Sequence, residues 1–299
     1  MSRAPDRSLL PGLALAVFGA IAFSGKAIIV KLAYRYGVDA VTLIMYRMLF
    51  ALPIFALMSW WSSRGKAPLS GRDWLGVLGL GVSGYYLASF LDFVGLQYIT
   101  ASLERLILYI TPTLVLLLGW AMYRRPFTGV QLAGMAVSYA GVVLVFGHEA
   151  RVEGSNVALG ALLVLLSAVS YAFYLVYSGQ LVKRLGSLRL VGLATSVACR
   201  FCIAQFLLLR PLSTALAIPA PVVWLSLLNA VACTAVPVLL VMMAIERVGA
   251  PRTAQAGMVG PIATILLGVW MLGEPFTAWV AAGTVLVIAG VFVFTREPR

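Results

Sequence analysis

Apolar runs of roughly twenty residues, separated by short polar stretches, recur along the whole chain, each long enough to cross a hydrocarbon layer of about 30 Å. Ten are read: Leu9 to Lys31, Val41 to Trp61, Trp74 to Val94, Ala101 to Tyr123, Phe127 to Phe146, Val157 to Ser178, Leu188 to Leu209, Pro221 to Ile245, Ala250 to Leu272 and Phe276 to Phe294. The runs do not alternate apolar with polar, which excludes barrel strands. Lipid offers no partner to backbone N–H or C=O groups, so each run must close its own hydrogen bonds as a helix. The pattern predicts an all-α polytopic membrane protein with ten transmembrane helices.

Composition agrees, with 62% hydrophobic and 11% charged residues, an apolar share beyond what a soluble core can bury. The net charge of +12 would suggest nucleic acid in a soluble chain, but its placement points to membrane topology. With the N-terminus inside, fourteen basic residues fall on the cytoplasmic side (among them Arg64, Lys66, Arg72, Arg124, Arg125, Lys183 and Arg184) and four outside, Lys31, Arg35, Arg151 and Arg210. That asymmetry puts both termini in the cytoplasm of a cell whose inner (plasma) membrane the chain crosses many times. The lipid bilayer, not nucleic acid, is the expected surrounding. Arg3 and Arg7 ahead of Ala20-Ile21-Ala22 imitate a secretory signal, but the apolar run continues past that point and span 6 has a similar run, so span 1 is expected to stay. Cys199 and Cys202 form a C-x-x-C on span 7 and read as small hydrophobes, since no second ligand pair accompanies them. No metal or cofactor is expected.

A shift of 149 positions lays spans 4 and 5 onto spans 9 and 10 without a gap. Ala101 falls on Ala250, Pro112 on Pro261, Leu117-Leu118-Gly119 on Leu266-Leu267-Gly268, Pro126-Phe127-Thr128 on Pro275-Phe276-Thr277, and Ala140-Gly141-Val142 on Ala289-Gly290-Val291. A shift of 150 pairs Trp74-Leu75 with Trp224-Leu225 and Ala22-Phe23 with Ala172-Phe173. Residues 1–149 and 150–299 are therefore expected to be two five-helix repeats. Five is odd, so the second repeat enters the membrane from the opposite side, and inverted repeats suit alternating access. Gly134 and Gly141, like Gly283 and Gly290, lie seven apart on one helical face, which favours close helix packing and leaves open a role in a homodimer.

These hairpins, above all Leu272-Gly273-Glu274-Pro275-Phe276, with Pro112, Pro261 and Ala289-Gly290, resemble the ten-span EamA-type members of the drug/metabolite transporter superfamily over nearly the whole chain. Arg124-Arg125 replaces the usual Gly-Glu in the first copy. The resemblance implies an inner-membrane metabolite exporter with a central cavity between the halves. Overall the chain looks most like the aromatic amino-acid exporters of the YddG type.

Candidate cavity residues are the aromatic, hydroxyl and amide groups near mid-depth: Phe23, Ser24, Tyr85, Tyr86, Ser89, Tyr109, Thr113, Tyr171, Tyr174, Thr234, Gln255 and Met258. Rings would pack an apolar cargo group while hydroxyls hold a polar end, so a small amphipathic molecule such as an aromatic or apolar amino acid is the expected cargo. Pro112 and Pro261 each remove a helical hydrogen bond at equivalent points and are candidate hinges. Buried charge in lipid is costly and therefore functional or paired. Lys26, Arg47, Asp92, Glu104 and Arg105 fall toward the outer ends of their spans, and Arg200, Glu246, Arg247 and Arg252 are read as a matching inner cluster, the two flanking an uncharged centre. Asp92 is the first choice for a proton-coupling carboxylate, with Lys26 its expected partner.

Two alternatives are weighed. Gly81-Val82-Ser83-Gly84 spells a G-x-S-G pattern of intramembrane serine proteases, but the sole histidine, His148, lies beyond span 5. Carriers of nucleotide sugars or organic phosphates would instead place Lys26, Arg47 and Arg200 at mid-depth, facing inward.

Overall fold

The structure, a computed structural model, describes residues 9–123, 128–153, 156–248, 253 and 256–295. Among them ten helices carry the apolar runs: α1 (Leu9–Tyr34), α2 (Ala40–Ser63), α3 (Gly71–Gly95), α4 (segments Ala101–Tyr109 and Thr111–Tyr123), α5 (Gly129–Glu153), α6 (Asn156–Leu185), α7 (Ser187–Leu209), α8 (segments Ala220–Ala230, Val231–Ala235 and Val236–Val248), α9 (Gly257–Leu272) and α10 (Ala278–Thr295). Eight are long and apolar enough to span a membrane, and the described parts of α9 and α10 are shorter apolar helices. Helices α5 and α6 run past their expected ends through Arg151 and through Lys183 and Arg184, because nothing stops a helix once its charged residues reach water.

The packing follows the repeat. Helix α1 lies against α8 and α9, and its counterpart α6 lies against α3 and α4; α2 packs on its own counterpart α7, and α5 on α10. A helix can pack on its own copy only beside the axis that relates the halves, so α2/α7 and α5/α10 mark the two sides of that axis. Two inverted five-helix repeats therefore build the bundle.

The α5–α10 contact uses the small residues. A Cβ on Gly141 would lie 2.7 Å from the carbonyl oxygen of Gly283, and one on Gly290 would lie 2.6 Å from that of Gly134. This face is thus occupied inside the chain. Gly141→Leu and Gly290→Leu are expected to cost about 1–3 kcal/mol each by overpacking, seen as a lower melting temperature in detergent, whereas Gly147→Leu, with nothing within 4 Å of a new Cβ, should leave it unchanged.

Asp39 starts α2 by accepting hydrogen bonds from the amides of Val41 and Thr42 at 3.0 and 3.3 Å, and pairs with Arg210 at 3.4 Å. Burial pushes its carboxyl up, but the Thr42 bonds and the Arg210 guanidinium outweigh burial and hold it below the ordinary carboxylate range. Its contribution is complete above the unfolded-chain pKa and fades as pH falls through the lowered folded value. Asp39→Ala should therefore cost about 1 kcal/mol at neutral pH, and its melting curve should approach that of the parent in acid.

Candidate functional site

Where α3 ends and α4 begins, three charges of the membrane core converge. The Lys26 ammonium on α1 lies 2.6 Å from Asp92 Oδ2 on α3 and 3.1 Å from Glu104 Oε1 on α4. All three are buried, Glu104 completely. Asp92 is thus not alone: a second carboxylate shares its lysine, which the sequence reading placed at the rim. One residue along the helix Arg105 turns by about 100° and crosses to the other half, its Nε donating to Thr264 Oγ1 on α9 at 2.8 Å and its Nη2 to the Phe23 carbonyl at 3.2 Å. From α2, Arg47 Nε donates to Thr234 Oγ1 on α8 at 3.1 Å, with its guanidinium 5.2 Å above the Phe93 ring. Asn229 Nδ2 donates to the Lys26 carbonyl. Six helices, α1 to α4 with α8 and α9, are tied together here.

Around this cluster the same end of the bundle is closed. Lys31 donates to the Ile99 carbonyl, Tyr34 to that of Phe93 and Arg35 to that of Leu272. The first turn of α4 is capped from three sides. Thr100 Oγ1 accepts from the Leu103 amide and donates to Glu149 of α5, while Glu274, from the α9–α10 turn, accepts from the amides of Ala101 and Ser102 at 2.7 and 3.3 Å and from the Ser102 hydroxyl at 2.9 Å. Residues 101–107 of α4 are accordingly all buried, whereas 115–119, in its other half, are only half-buried.

Two of the helix interruptions are matched, while a third π-helical turn, Gly268–Leu272 in α9, has no counterpart in α4. A π-helical turn occupies Gly81–Leu87 in α3 and another Val231–Ala235 in α8, starting 150 positions apart, the same offset that aligns the earlier spans. Ser170 of α6 donates to the Ser83 carbonyl, and Thr234 to that of Asn229, so the disturbed ladder finds side-chain partners. Sequence gave little sign of these turns beyond Gly81 and Gly84; a Cβ on Gly84 would overlap the Tyr174 ring. Pro112 and Pro261 each stand second in a restarted helical segment, after Thr111 and Gly260, where a missing N–H costs least. Tyr109, just before the first break, donates to the Gly257 carbonyl just before the second, at 3.0 Å.

The remaining candidates divide. Phe23 is partly exposed, its ring 5.7 Å from Lys26 Nζ and 5.4 Å from Arg105 Cζ, so it faces the space beneath both cations. Tyr85 and Tyr174 meet edge to face with their hydroxyls 3.2 Å apart, and Tyr171 stacks on Tyr174. Tyr86 packs against Phe201. Ser89 and Met258 are half-buried. Ser24 and Thr113 are fully buried and spend their hydroxyls on carbonyls, Ser24 on Ala20 and Gly260, Thr113 on Ile110. Gln255 and the side chain of Glu246 lie outside what the structure describes, as does Arg252. Arg200 is exposed on α7 rather than joined to an inner cluster, and Arg247 is exposed too. The expectation of an uncharged centre fails physically: long side chains carry charge inward. Arg105 reaches the carbonyl of Phe23, eleven residues from the end of α1, about 16 Å along the helix and so near mid-depth. Ser83 donates to the Gly79 carbonyl and His148 stacks on Trp279, so the protease-like pair is not assembled.

Sequence comparison resolves which lineage built this arrangement. The model of the EamA-like transporter family matches residues 10–147 and again 158–296. The chain belongs to the EamA-like transporter family. Among curated EamA-like relatives, an uncharacterized transporter of Bacillus subtilis, YcbK, is 32% identical over 276 residues, covering 90% of this chain and 87% of its own. An uncharacterized transporter of Archaeoglobus fulgidus is 24% identical, covering 92% and 94%. A solved crystal structure shares the fold at TM-score 0.63 and 18% identity, over 97% of this chain and 96% of that one. Membrane transport is the function these EamA-like names carry.

Proposed function

We propose that the protein is an alternating-access exporter of the plasma membrane, non-enzymatic, with both termini in the cytoplasm and the Lys26 cluster toward the outside. Residues 1–149 and 150–299 are its two repeats, and the cargo passes between them. The cargo is a small amphipathic metabolite, first of all an aromatic or apolar amino acid, as in the exporters the chain resembles. One observation carries the reading: side-chain bonds tie the two halves together at both ends of the bundle, Arg47 to Thr234, Arg105 to Thr264 and Glu274 to Ala101 toward one end, and Arg184 to Asp73 and Arg189 to Ser63 at the other. Side-chain bonds of that kind can be broken and remade without unfolding a helix. The Phe23 ring and the Tyr85, Tyr171 and Tyr174 group supply aromatic faces at the depth where a cargo would rest.

The test is counterflow in proteoliposomes against labelled amino acids, sugars, nucleosides and organic anions. Saturable exchange of an aromatic or apolar amino acid supports the reading. Exchange of sugars or nucleosides alone would replace the cargo, and absence of saturable exchange for every class would remove the transport assignment itself.

A further inference from the structure

The buried cluster does not balance its charge. Lys26, Arg47 and Arg105 bring three cations into the interior, and Asp92 and Glu104 bring two carboxylates. Both carboxylates serve Lys26. The hydrogen bonds of the two arginines go to neutral oxygens, the Thr234 hydroxyl for Arg47 and the Thr264 hydroxyl and Phe23 carbonyl for Arg105. Arg47 is 5% exposed, and its Nη1 is buried with no hydrogen-bond partner. Lys26 and Arg105 flank one ring, Phe23, at 5.7 and 5.4 Å, and Arg47 lies 5.2 Å from the ring of Phe93, the residue after Lys26's partner Asp92, so the three cations are neighbours.

Protonation cannot repair this. An arginine does not shed its proton in a protein, and protonating Asp92 or Glu104 would enlarge the positive surplus. An unpaired buried charge is costly. Among the described residues no carboxylate lies within salt-bridge distance of Arg47 or Arg105, so the balancing negative charge is sought outside the chain.

We propose that this cluster is an anion subsite completed by Arg47, and that the cargo bears a carboxylate which docks there. The proposal rests on the transport reading above and specifies its substrate class. Arginine suits the task because its planar fork holds a carboxylate through two parallel hydrogen bonds. Phe23, beneath Lys26 and Arg105, lies next to the subsite and offers a ring face to an apolar or aromatic group on the same molecule. The subsite therefore selects amphipathic carboxylates, amino acids among them, and rejects amines that lack an acid group.

The experiment uses the purified full chain and three probes sharing one aromatic ring: phenylalanine, 3-phenylpropionate and phenethylamine. Competition for counterflow and ligand-induced thermal stabilisation are both read, in chloride and in gluconate. The two acids should compete and stabilise while the amine should not, and Arg47→Met should weaken the acids at least tenfold. Arg47→Lys, which keeps the charge without the fork, should fall between and serves if Arg47→Met folds poorly. Equal action of the amine, or undiminished action of the acids on well-folded Arg47→Met, overturns the proposal. So does a chloride-dependent stability that Arg47→Met abolishes while the acids have no effect, because the counter-ion is then a resident halide. Transport confined to cargo without a carboxylate would sink the anion subsite and leave the transport reading standing; no transport of any class would sink the latter.

Discussion

Lys26→Met should abolish transport and destabilise the protein by several kcal/mol. The substitution preserves length and apolar volume but removes the ammonium that Asp92 and Glu104 share at 2.6 and 3.1 Å. Two carboxylates, 2% and 0% exposed, are then left side by side without their partner. Breaking a buried pair by removing one member costs about 3–5 kcal/mol, since the stranded charge cannot regain its water. The compensating variant Lys26→Met/Asp92→Asn removes one stranded charge and should recover much of the melting temperature while transport stays lost. If single and double variants melt together, the charges do not pair, and a wild-type melting curve for Lys26→Met would refute the buried cluster altogether.

Glu274→Ala should loosen the same end of the bundle without breaking any helix. Its carboxylate satisfies two amides and a hydroxyl at the start of α4, and hydrogen bonds to a charged acceptor contribute about 1.5–3 kcal/mol each, reinforced by the helix dipole. The acceptor comes from the turn between α9 and α10, so the bond joins the two halves. A cysteine placed at Leu103, buried in the parent, should react with a membrane-impermeant thiol reagent many times faster in the Glu274→Ala background. The native cysteines 199, 202 and 233 are all buried and give a low background. Glu274→Gln, retaining one acceptor oxygen, should lie between; unchanged labelling would mean that Glu274 does not hold this end shut.

Much of the architecture was legible because it rests on patterns a linear chain must carry. Unbroken apolar runs force helices, and the alignment of Pro112 with Pro261 and of Gly141 with Gly290 exposes the duplication. The Lys26–Asp92 pair was also legible, since Asp92 is the one acid well inside a span and Lys26 lies at a similar depth. What was not legible concerns reach and local winding. Glu104 and Arg105 stand next to one another, yet the first turns toward Lys26 and the second toward α9, a consequence of helical phase that position in the span does not convey. The π turns at 81–87 and 231–235 arise from packing against neighbouring helices and leave no residue signature as plain as proline. Ser24 and Thr113 are the residue types that line cavities, but their hydroxyls are spent on backbone carbonyls.

The Glu274 cap has no chemical copy at the far side of the membrane. Under the 149-residue offset Glu274 corresponds to Arg125, Ser102 to Pro251 and Thr100 to Gly249. A guanidinium cannot accept a hydrogen bond from a helix start, proline has no amide to donate, and glycine has no side chain with which to cap. In the proposed alternating-access cycle the two ends are thus shut by different chemistry, the Glu274 cap at one and the Arg184–Asp73 and Arg189–Ser63 bonds at the other, so the two closed forms differ in free energy. Solute arriving at whichever side the empty carrier keeps shut must first lift that bias, which inflates its apparent half-saturation concentration. For an uncoupled carrier, detailed balance then requires the maximal rate from that side to be larger in the same ratio, so the molecule rectifies kinetics while leaving the equilibrium distribution untouched.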